Sequence, residues 1–180
     1  MFEVGMKRKA VFLDRDGVLN KPIIREGRSF APKTLEEFNL IEGATDAVNR
    51  LNEAGYLTIV VTNQKDVGTG DLDAIILDRM HKKLRSAMSL DDILVCTCVD
   101  ECWCYKPNPG MFREAEKKFN IDLRSSFMVG DRWRDIDAGY NIGCTTIFID
   151  WGYTEGLKRQ PNFTVNSIFE AASLILNSHD

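Results

Sequence analysis

The chain has 180 residues, of which 44% are hydrophobic and 9% aromatic, a composition typical of one soluble globular domain. Its formal net charge of −4 argues against non-specific nucleic-acid binding, which requires a basic face. The apolar run before Asp14 is too short for a signal peptide or a membrane span, so we predict a single cytoplasmic domain over residues 1–180.

Apolar segments of strand length alternate with segments of helical periodicity along the chain. The strand-like segments are residues 10–13, 56–61, 93–95, 127–129 and 145–149. The helical segments are residues 44–53, 71–88, about 108–119, about 136–141 and about 167–177, and Asn108-Pro109 has the pattern of a helix start. This alternation predicts an α/β fold of three layers, Rossmann-like, with a mostly parallel central sheet and helices on both faces.

Polar residues follow four of the predicted strands. They are Asp14 after the first strand, Thr62 after the second, Lys106 beyond the third and Asp131 after the fourth. Because ligands of open parallel sheets bind at the carboxyl ends of the strands, these positions predict an active centre at one edge of the sheet.

The segment Asp14-Arg-Asp16-Gly17 carries two carboxylates two residues apart. If the strand ends at Asp14, a turn at Gly17 brings Asp16 back to the same pocket, where one carboxylate attacks and the other handles a proton. Asp131 supplies a further hard oxygen, and such a group suits Mg²⁺ together with a phosphate. Asp-x-Asp alone is also compatible with a solvated turn, but its position after a buried strand favours the catalytic interpretation.

Donor groups follow the second strand. Thr62, Asn63 and Gln64 offer a hydroxyl and two amides that suit phosphate oxygens, although an ordinary strand-to-loop turn is the alternative interpretation. Lys106 is suited to neutralise charge on a transferring phosphoryl group. A lysine before proline is usually a surface residue, and the loop that precedes Lys106 favours the functional interpretation.

That loop contains four of the five cysteines within nine residues, Cys96, Cys98, Cys102 and Cys104. Two Cys-x-Cys pairs joined by three residues suit one tetrahedral ion, and a closed four-thiolate Zn²⁺ site over residues 96–104 is structural rather than catalytic. A redox pair is the alternative. The fifth cysteine, Cys144, stands in an apolar run and is predicted to be a buried structural thiol.

The chain contains only two histidines, His81 and His179. His81 falls on the polar face of a predicted helix, and His179 falls in the terminal tail. Ser-His-Asp triads, histidine phosphatases and His-based zinc hydrolases are therefore poor candidates, and no Walker loop or dinucleotide fingerprint is present.

The order of these motifs resembles the haloacid dehalogenase (HAD) superfamily of phosphohydrolases. The matching residues are Asp14-x-Asp16-Gly17, Thr62, Lys106 and Gly130-Asp131 with Asp135. The longer segments Asp14-Arg-Asp-Gly-Val-Leu-Asn20, Thr62-Asn-Gln64 and Cys-x-Cys-x-Lys-Pro-x-Pro-Gly-Met111 resemble the branch that contains D-glycero-D-manno-heptose 1,7-bisphosphate phosphatase and histidinol-phosphate phosphatase. That branch carries a zinc-binding loop beside the motif lysine.

The resemblance implies a role for each motif. Asp14 is the nucleophile that forms an aspartyl-phosphate, and Asp16 protonates the leaving alcohol and then activates water. Thr62 and Lys106 hold the phosphoryl group. Asp14, the backbone carbonyl of Asp16, and Asp131 bind Mg²⁺. Asp135 acts behind these ligands or through water.

The segment before the motif lysine departs from that branch. Tyr105 stands where the branch typically has an arginine that contributes to substrate recognition, and a phenol offers no guanidinium fork to a phosphate. The first cysteine pair is Cys96-x-Cys98 where the heptose bisphosphatases commonly have Cys-x-His. Arg132 stands where lysine is common, and its contact with substrate is an expectation.

The length of the first loop predicts how open the active site is. About two dozen residues separate Asn20 from the helix near Ala44, which is too few for a large cap domain and implies an open site edged by loops. Arg25, Arg28 and Lys33 in this loop are candidates for meeting a second anionic group, and a solvated basic loop is the alternative.

We therefore predict a Mg²⁺-dependent phosphatase of a small phosphorylated metabolite, with structural Zn²⁺, no nucleic-acid or membrane partner, and a monomeric state. A heptose phosphate or bisphosphate is the expected substrate. The alternatives are histidinol phosphate or another small phosphorylated molecule, and a non-catalytic zinc-bearing scaffold.

Overall fold

Strand β1 (Ala10–Leu13) is wholly buried at the centre of the sheet, as its continuous apolar sequence predicts. The computed structural model describes residues 6–178. The other strands of this sheet are β4 (Leu57–Asn63), β5 (Asp92–Cys96), β6 (Phe127–Gly130), β7 (Thr145–Ile149) and β8 (Phe163–Val165), and β2 (Ile23–Arg25) and β3 (Arg28–Phe30) form a separate hairpin. The order is β5-β4-β1-β6-β7-β8, and every pair in it is parallel.

Six helices accompany the strands within residues 6–178. They are α1 (Ala44–Glu53), α2 (Lys65–Thr69), α3 (Ala74–Ala87), α4 (Gly110–Phe119), α5 (Trp133–Ile142) and α6 (Ile168–Asn177), with one 3₁₀ turn at Leu123–Ser125. The predicted helix starts differ slightly from those observed. Helix α3 begins after Asp73, whose carboxylate accepts a hydrogen bond from the Ile75 N–H, and α4 begins after Pro109 rather than after Asn108.

Side chains of β1 alternate between two apolar cores, one on each face of the sheet. Val11 and Leu13 face the core that α1, α3 and α6 cover, whereas Phe12 packs edge-on against Phe112 of α4 in the other core. Helix α5 covers that second face with Ala138 and Ile142. These two cores give the three layers that the sequence predicts.

The first long loop carries the β2–β3 hairpin and no folded cap domain in its described residues. Three elements were not predicted: this hairpin, the five-residue α2, and β8. Each is only three to five residues long, and segments this short carry little periodicity. None of the helices in residues 6–178 has the length and apolar character needed to cross a membrane.

Candidate active site

The polar residues predicted at strand ends meet where the strand order reverses beside β1. The chain runs outward from β1 through β4 to β5, and then returns to the other side of β1 with β6. Asp14 follows β1 and Asp131 follows β6, and the Asp14 N–H still donates to the Val129 carbonyl across these two strands (3.0 Å). Ligands of open α/β sheets bind in the crevice at such a point.

A buried cation links two carboxylates at this position. The Lys106 Nζ lies 2.9 Å from Asp14 Oδ1, 2.7 Å from Asp135 Oδ1 and 2.8 Å from the Val61 carbonyl, and only 2% of the residue is exposed. All three lysine protons therefore have acceptors. Burial alone lowers the pKa of Lys106, but the charges of Asp135 and Asp14 outweigh it, so the pKa lies above its ordinary value and the amine stays charged.

The pKa of the Asp14 carboxyl is raised as well, which for an acid favours the neutral form. Burial and the charge of Asp135 raise its pKa to about 7, although Lys106 opposes the shift. Its two hydrogen bonds within the described residues, from the Lys106 ammonium and the Arg15 N–H, both fall on Oδ1. Oδ2 accepts no hydrogen bond from the described residues.

The three carboxylates of Asp14, Asp131 and Asp135 each place an oxygen within 4.8 Å of the others. Asp131 Oδ2 accepts a hydrogen bond from the Tyr153 hydroxyl (2.7 Å), whereas its Oδ1 is buried without a partner in the described part of the chain. Asp135 is fully engaged, because Oδ1 accepts from Lys106 and Oδ2 from the Arg132 N–H. Burial and the neighbouring carboxylates raise the pKa of Asp131 well above its ordinary value. The three carboxylates together fit a hard cation.

Two glycines allow this close approach of carboxylates. Gly17 has a φ of +81°, and a Cβ there would overlap the Asp131 carboxylate. A Cβ at Gly130 would overlap the Asp135 side chain. Both positions therefore require the smallest residue, and Gly17 also requires a left-handed backbone.

Asp16 is brought back toward the pocket, as the turn at Gly17 predicts. Its carboxylate accepts hydrogen bonds from the side chains of Arg15, Asn20 (2.9 Å) and Gln64 (2.9 Å). Burial alone raises the pKa of Asp16, but the charge of Arg15 and these hydrogen bonds outweigh it and hold the pKa below its ordinary value.

The residues after Thr62 have internal partners. The Gln64 amide donates to Asp16 and also to the Thr62 hydroxyl (2.9 Å), and both Thr62 and Gln64 are almost fully buried. The Asn63 amide donates to the Lys106 carbonyl (3.1 Å) and accepts from the Lys106 N–H (3.0 Å). Asn63 thus fixes the backbone of the residue whose side chain lies between the carboxylates.

A cavity of about 580 Å³ opens over this group. Among the predicted site residues it is lined by Asp14, Asp16, Asn63, Gln64, Tyr105, Lys106, Arg132, Asp135 and Arg28. Thr62, Asp131 and Arg25 do not line it, and Arg25 instead lies 6.0 Å from the Phe30 ring. Lys33 lies 3.9 Å from Asp66 and does not line the cavity.

The connection between β7 and β8 contributes side chains that the sequence did not single out. The Trp151 indole donates to the Gly17 carbonyl (2.8 Å), and Tyr153 donates to Asp131. Glu155 accepts two hydrogen bonds from Arg132, at 2.7 and 2.8 Å. These contacts are long-range in sequence, and no motif in the segment predicts them.

Arg134 is a cationic residue at the cavity that the sequence did not single out. Its guanidinium carbon lies 4.6 Å from the Trp133 ring centre and 5.7 Å from that of Tyr105. Its Nε is buried without a hydrogen-bond partner in the described residues. A guanidinium held on aromatic faces with a free donor suits an anion in the cavity.

His81 differs from its predicted place on a polar helix face. Its ring is half-buried, with Nε2 3.3 Å from the Arg15 guanidinium. Burial and that cation lower the pKa of His81 to about 4, so the ring is neutral at physiological pH. His179 lies outside the described residues.

The four clustered cysteines converge at the end of β5. Their sulfur atoms all lie within 4.8 Å of one another, with separations of 3.5 Å for Cys96–Cys102, 3.8 Å for Cys98–Cys104 and 3.2 Å for Cys102–Cys104. Cys98 and Cys102 are paired as a disulfide. A Zn²⁺ ion with bonds of about 2.3 Å to four thiolates requires sulfur separations of about 3.8 Å, so the cluster is compatible with zinc once Cys98 and Cys102 are reduced.

The cysteine loop is hydrogen-bonded to residues that follow Lys106 in the chain. The Asn108 amide donates to the Cys102 carbonyl (2.8 Å), and the Gly110 N–H donates to the Trp103 carbonyl (2.9 Å). Cys144, by contrast, is buried away from this cluster, and burial raises its pKa to about 12. This confirms the prediction that Cys144 is buried.

The fold and this arrangement of carboxylates and lysine define a phosphatase of the haloacid dehalogenase superfamily. The HAD-hydrolase-like family matches residues 103–171 of the chain. The crystal structure of D,D-heptose 1,7-bisphosphate phosphatase from B. bronchiseptica, complexed with magnesium and phosphate, superposes with a TM-score of 0.81 at 28% identity, covering 94% of this chain and 99% of that one.

Curated relatives narrow the family. The D-glycero-beta-D-manno-heptose-1,7-bisphosphate 7-phosphatase of Pasteurella multocida is 36% identical over 185 residues, which cover 93% of this chain and 97% of the relative. The D-glycero-alpha-D-manno-heptose-1,7-bisphosphate 7-phosphatase of Photorhabdus laumondii is 29% identical, with 94% of this chain and 97% of the relative covered. The chain belongs to the family of heptose-1,7-bisphosphate phosphatases, which confirms the resemblance seen in its motifs.

Proposed function

We propose that this chain is a Mg²⁺-dependent phosphatase that removes one phosphoryl group from a heptose bisphosphate through an aspartyl-phosphate on Asp14. The observation that carries the proposal is the buried group of Asp14, Lys106 and Asp131, with Asp14 Oδ2 left free. The family to which the chain belongs supports the substrate class. One similar relative is named for the beta anomer and another for the alpha anomer of the substrate. We therefore propose a heptose bisphosphate as the substrate without specifying the anomer.

The reaction has two steps, transfer of the phosphoryl group to Asp14 and hydrolysis of the aspartyl-phosphate. Asp14 Oδ2 attacks the phosphorus, and Lys106 stabilises negative charge on the transferring group. Asp16 is ionised in the free protein because its pKa is lowered, so it must take up a proton when the substrate binds before it can give one to the departing sugar oxygen. It then takes a proton from the water that hydrolyses the aspartyl-phosphate. Asn63 and Gln64 contribute by fixing Lys106 and Asp16.

Asp14, Asp131 and the carbonyl of Asp16 would hold Mg²⁺, with Asp135 acting behind them because both its oxygens have internal partners. The fit is supported by the unpartnered Asp131 Oδ1 and the raised pKa values of Asp14 and Asp131. The bound ion would supply positive charge opposite the phosphoryl oxygens. Lys106 alone leaves three neighbouring carboxylates short of positive charge.

Cys96, Cys98, Cys102 and Cys104 would hold a structural Zn²⁺ in place of the Cys98–Cys102 disulfide. The sulfur separations support this assignment, and a closed four-thiolate site has no open position for substrate. Its role is to order the loop that ends at Lys106. In an oxidised, zinc-free protein the same loop is held by the disulfide.

The second phosphate of the substrate is proposed to lie at the rim of the cavity, where three cationic side chains have room to meet it. Arg28 and Lys65 line the cavity together with Arg134. A tyrosine at position 105 offers no guanidinium to a phosphate. The guanidinium of Arg134 lies over the Tyr105 ring and would supply this group instead. Arg132 donates two hydrogen bonds to Glu155, so any contact with the substrate is made while its guanidinium is held by that carboxylate.

Phosphate release from a panel of esters tests the proposal. The panel contains D-glycero-D-manno-heptose 1,7-bisphosphate, heptose 1-phosphate, histidinol phosphate and p-nitrophenyl phosphate, each with Mg²⁺ and with chelator. We expect the bisphosphate to have the highest kcat/KM and every rate to fall with chelator. A higher kcat/KM for histidinol phosphate would reassign the substrate, and rates indifferent to Mg²⁺ would contradict the metal site.

A further inference from the structure

The β2–β3 hairpin lies outside the main sheet and contributes no residue to either apolar core of the described chain. Each of its strands has three residues, and a two-residue turn of Glu26 and Gly27 joins them. A hairpin this small is at best marginally stable by itself. Contacts with other segments must therefore fix its orientation.

The turn itself adds little stability to the hairpin. Glu26 and Gly27 both have a positive φ, +50° and +74°, which are the signs that a type I′ turn requires. Glycine adopts this region without cost, whereas the Cβ of a glutamate disfavours it. Arg25 and Arg28 flank the turn and are paired across the two strands, so like charges lie opposite each other.

The connection between β7 and β8 holds this turn through Thr154. The Thr154 N–H donates to the Gly27 carbonyl (2.9 Å), and the Thr154 hydroxyl donates to the same oxygen (3.2 Å). The two residues are also closely packed, because a Cβ built on Gly27 would lie 2.6 Å from Thr154 Cγ2. Position 27 therefore requires glycine both for its φ and for this contact.

The same connection is anchored to the active site on both sides of Thr154. The Trp151 indole donates to the Gly17 carbonyl (2.8 Å), and Glu155 accepts two hydrogen bonds from Arg132. These anchors lie three residues before and one residue after Thr154 in the chain. Thr154 therefore offers the hairpin a fixed point of attachment.

Arg28 follows the attached turn directly and lines the cavity, whereas Gly27 does not line it. Arg28 is exposed, and within residues 6–178 its guanidinium has no hydrogen bond or ion pair. The direction of this side chain therefore depends on the backbone of the hairpin. The contact between Thr154 and Gly27 fixes that backbone one residue away.

We propose that Thr154 is a positioning residue for substrate binding, which attaches the turn at Gly27 and so holds Arg28 where it meets the second phosphate of the substrate. The inference rests on the proposed function, in which that phosphate lies at the rim of the cavity. The contact touches no reacting atom. Its loss should therefore raise KM for a substrate with two phosphates and leave kcat unchanged.

The test perturbs the contact from the side of Gly27, because Thr154 lines the cavity and could also act on the substrate directly. The substrates are heptose 1,7-bisphosphate and p-nitrophenyl phosphate, each with Mg²⁺. We expect Gly27→Ala to raise KM for the bisphosphate about tenfold, the scale of one hydrogen bond to a charged group, and to change KM for the aryl ester less than about twofold. Gly55→Ala is the matched control, because Gly55 also has a positive φ (+92°) but has open space around its Cβ position.

Two double variants separate positioning from a general loss of structure. In a Thr154→Ala background the overlapping Cγ2 is absent, so adding Gly27→Ala should raise KM for the bisphosphate less than about threefold. In an Arg28→Gln background the guanidinium is absent, so adding Gly27→Ala should not raise this KM further. A full tenfold increase in either background would overturn the proposal.

An unchanged KM for Gly27→Ala, or equal increases for the two esters, would also overturn the proposal. If the melting temperature shows that Gly27→Ala does not fold, Thr154→Ala takes its place, alone and with Arg28→Gln. We then expect a rise of about threefold in KM for the bisphosphate that disappears in the Arg28→Gln background, and a rise that persists there would overturn the proposal. A wild-type protein whose kcat/KM is no higher for the bisphosphate than for the aryl ester would instead refute the proposed function, and this inference with it.

Discussion

Replacing Lys106 with methionine removes the only charge that the structure places between Asp14 and Asp135 within residues 6–178. Methionine keeps the length and apolar stem of lysine. Because Lys106 is 2% exposed, the variant leaves buried carboxylates without their cation. Loss of one partner of a buried ion pair destabilises a fold by about 3–5 kcal/mol, which is the loss we expect at about pH 8 in metal-free protein.

The cost of this change depends on pH. The pKa of Asp14, about 7 in the folded protein, lies above that of an unfolded aspartate. The folded chain therefore keeps a proton that the unfolded chain releases, and the stability from this group is lost as pH rises through about 7. Lys106 lowers the pKa of Asp14, so its removal extends this loss to higher pH. The difference between wild type and variant is then larger at about pH 8 than at about pH 5.5.

Urea unfolding at these two pH values with chelator measures the stability, and phosphate release measures activity. We expect kcat of Lys106→Met to fall at least about 1,000-fold, because the lysine faces charge that develops during transfer. Lys82→Met, which removes an exposed ion pair on α3, is the control and should change stability by less than about 1 kcal/mol. A variant as stable as wild type at the higher pH, or one that retains a tenth of wild-type kcat, would refute this reasoning.

Three further predictions concern the metals and the substrate. Cys102→Ser should lower zinc content and kcat together while the far-ultraviolet circular dichroism is kept, with Cys144→Ser as the control, and full activity in zinc-free protein would contradict the role of the loop. Because the pKa of Asp14 is about 7, the Mg²⁺ concentration at half-maximal activity should rise about tenfold for each pH unit below 7, whereas a constant value would contradict an ionised ligand. Arg134→Ala should raise KM about tenfold for heptose bisphosphate and leave KM for p-nitrophenyl phosphate unchanged, with exposed Arg113→Ala as the control; equal changes would remove Arg134 from the second phosphate.

The sheet was predictable because its strands are buried on both faces. Each of the five predicted strands is present, and the residues at 145–149 match β7 without change. A continuous apolar run such as that of β1 is typical of a strand in the interior of a parallel sheet, where both faces are buried. Strand and helix ends moved by one to three residues, because local hydrogen bonds such as the Asp73 cap decide them.

The central residues of the candidate site were also predictable, since they follow strands that share one edge of the sheet. The structure brings Asp14, Lys106, Asp131 and Asp135 together, and it brings the four cysteines together. The roles of these residues stay predictions until the variants are assayed.

What the sequence did not reveal depends on contacts between distant segments. Arg15 lies inside the Asp-x-Asp motif, and the sequence gives no sign of its contact with His81, which belongs to another layer of the fold. Tyr153 and Glu155 reach the site from the loop between β7 and β8. Single-sequence patterns describe local periodicity, and such contacts leave no periodic signal.

The central claim is that Asp14 accepts the phosphoryl group. Wild-type protein mixed with excess heptose bisphosphate and Mg²⁺, and quenched in acid during turnover, should yield a phosphorylated peptide containing Asp14 by mass spectrometry. The Asp14→Asn variant should yield none and release no phosphate. Turnover without any phosphorylated Asp14 peptide, or phosphate release by Asp14→Asn at the wild-type rate, would contradict the mechanism.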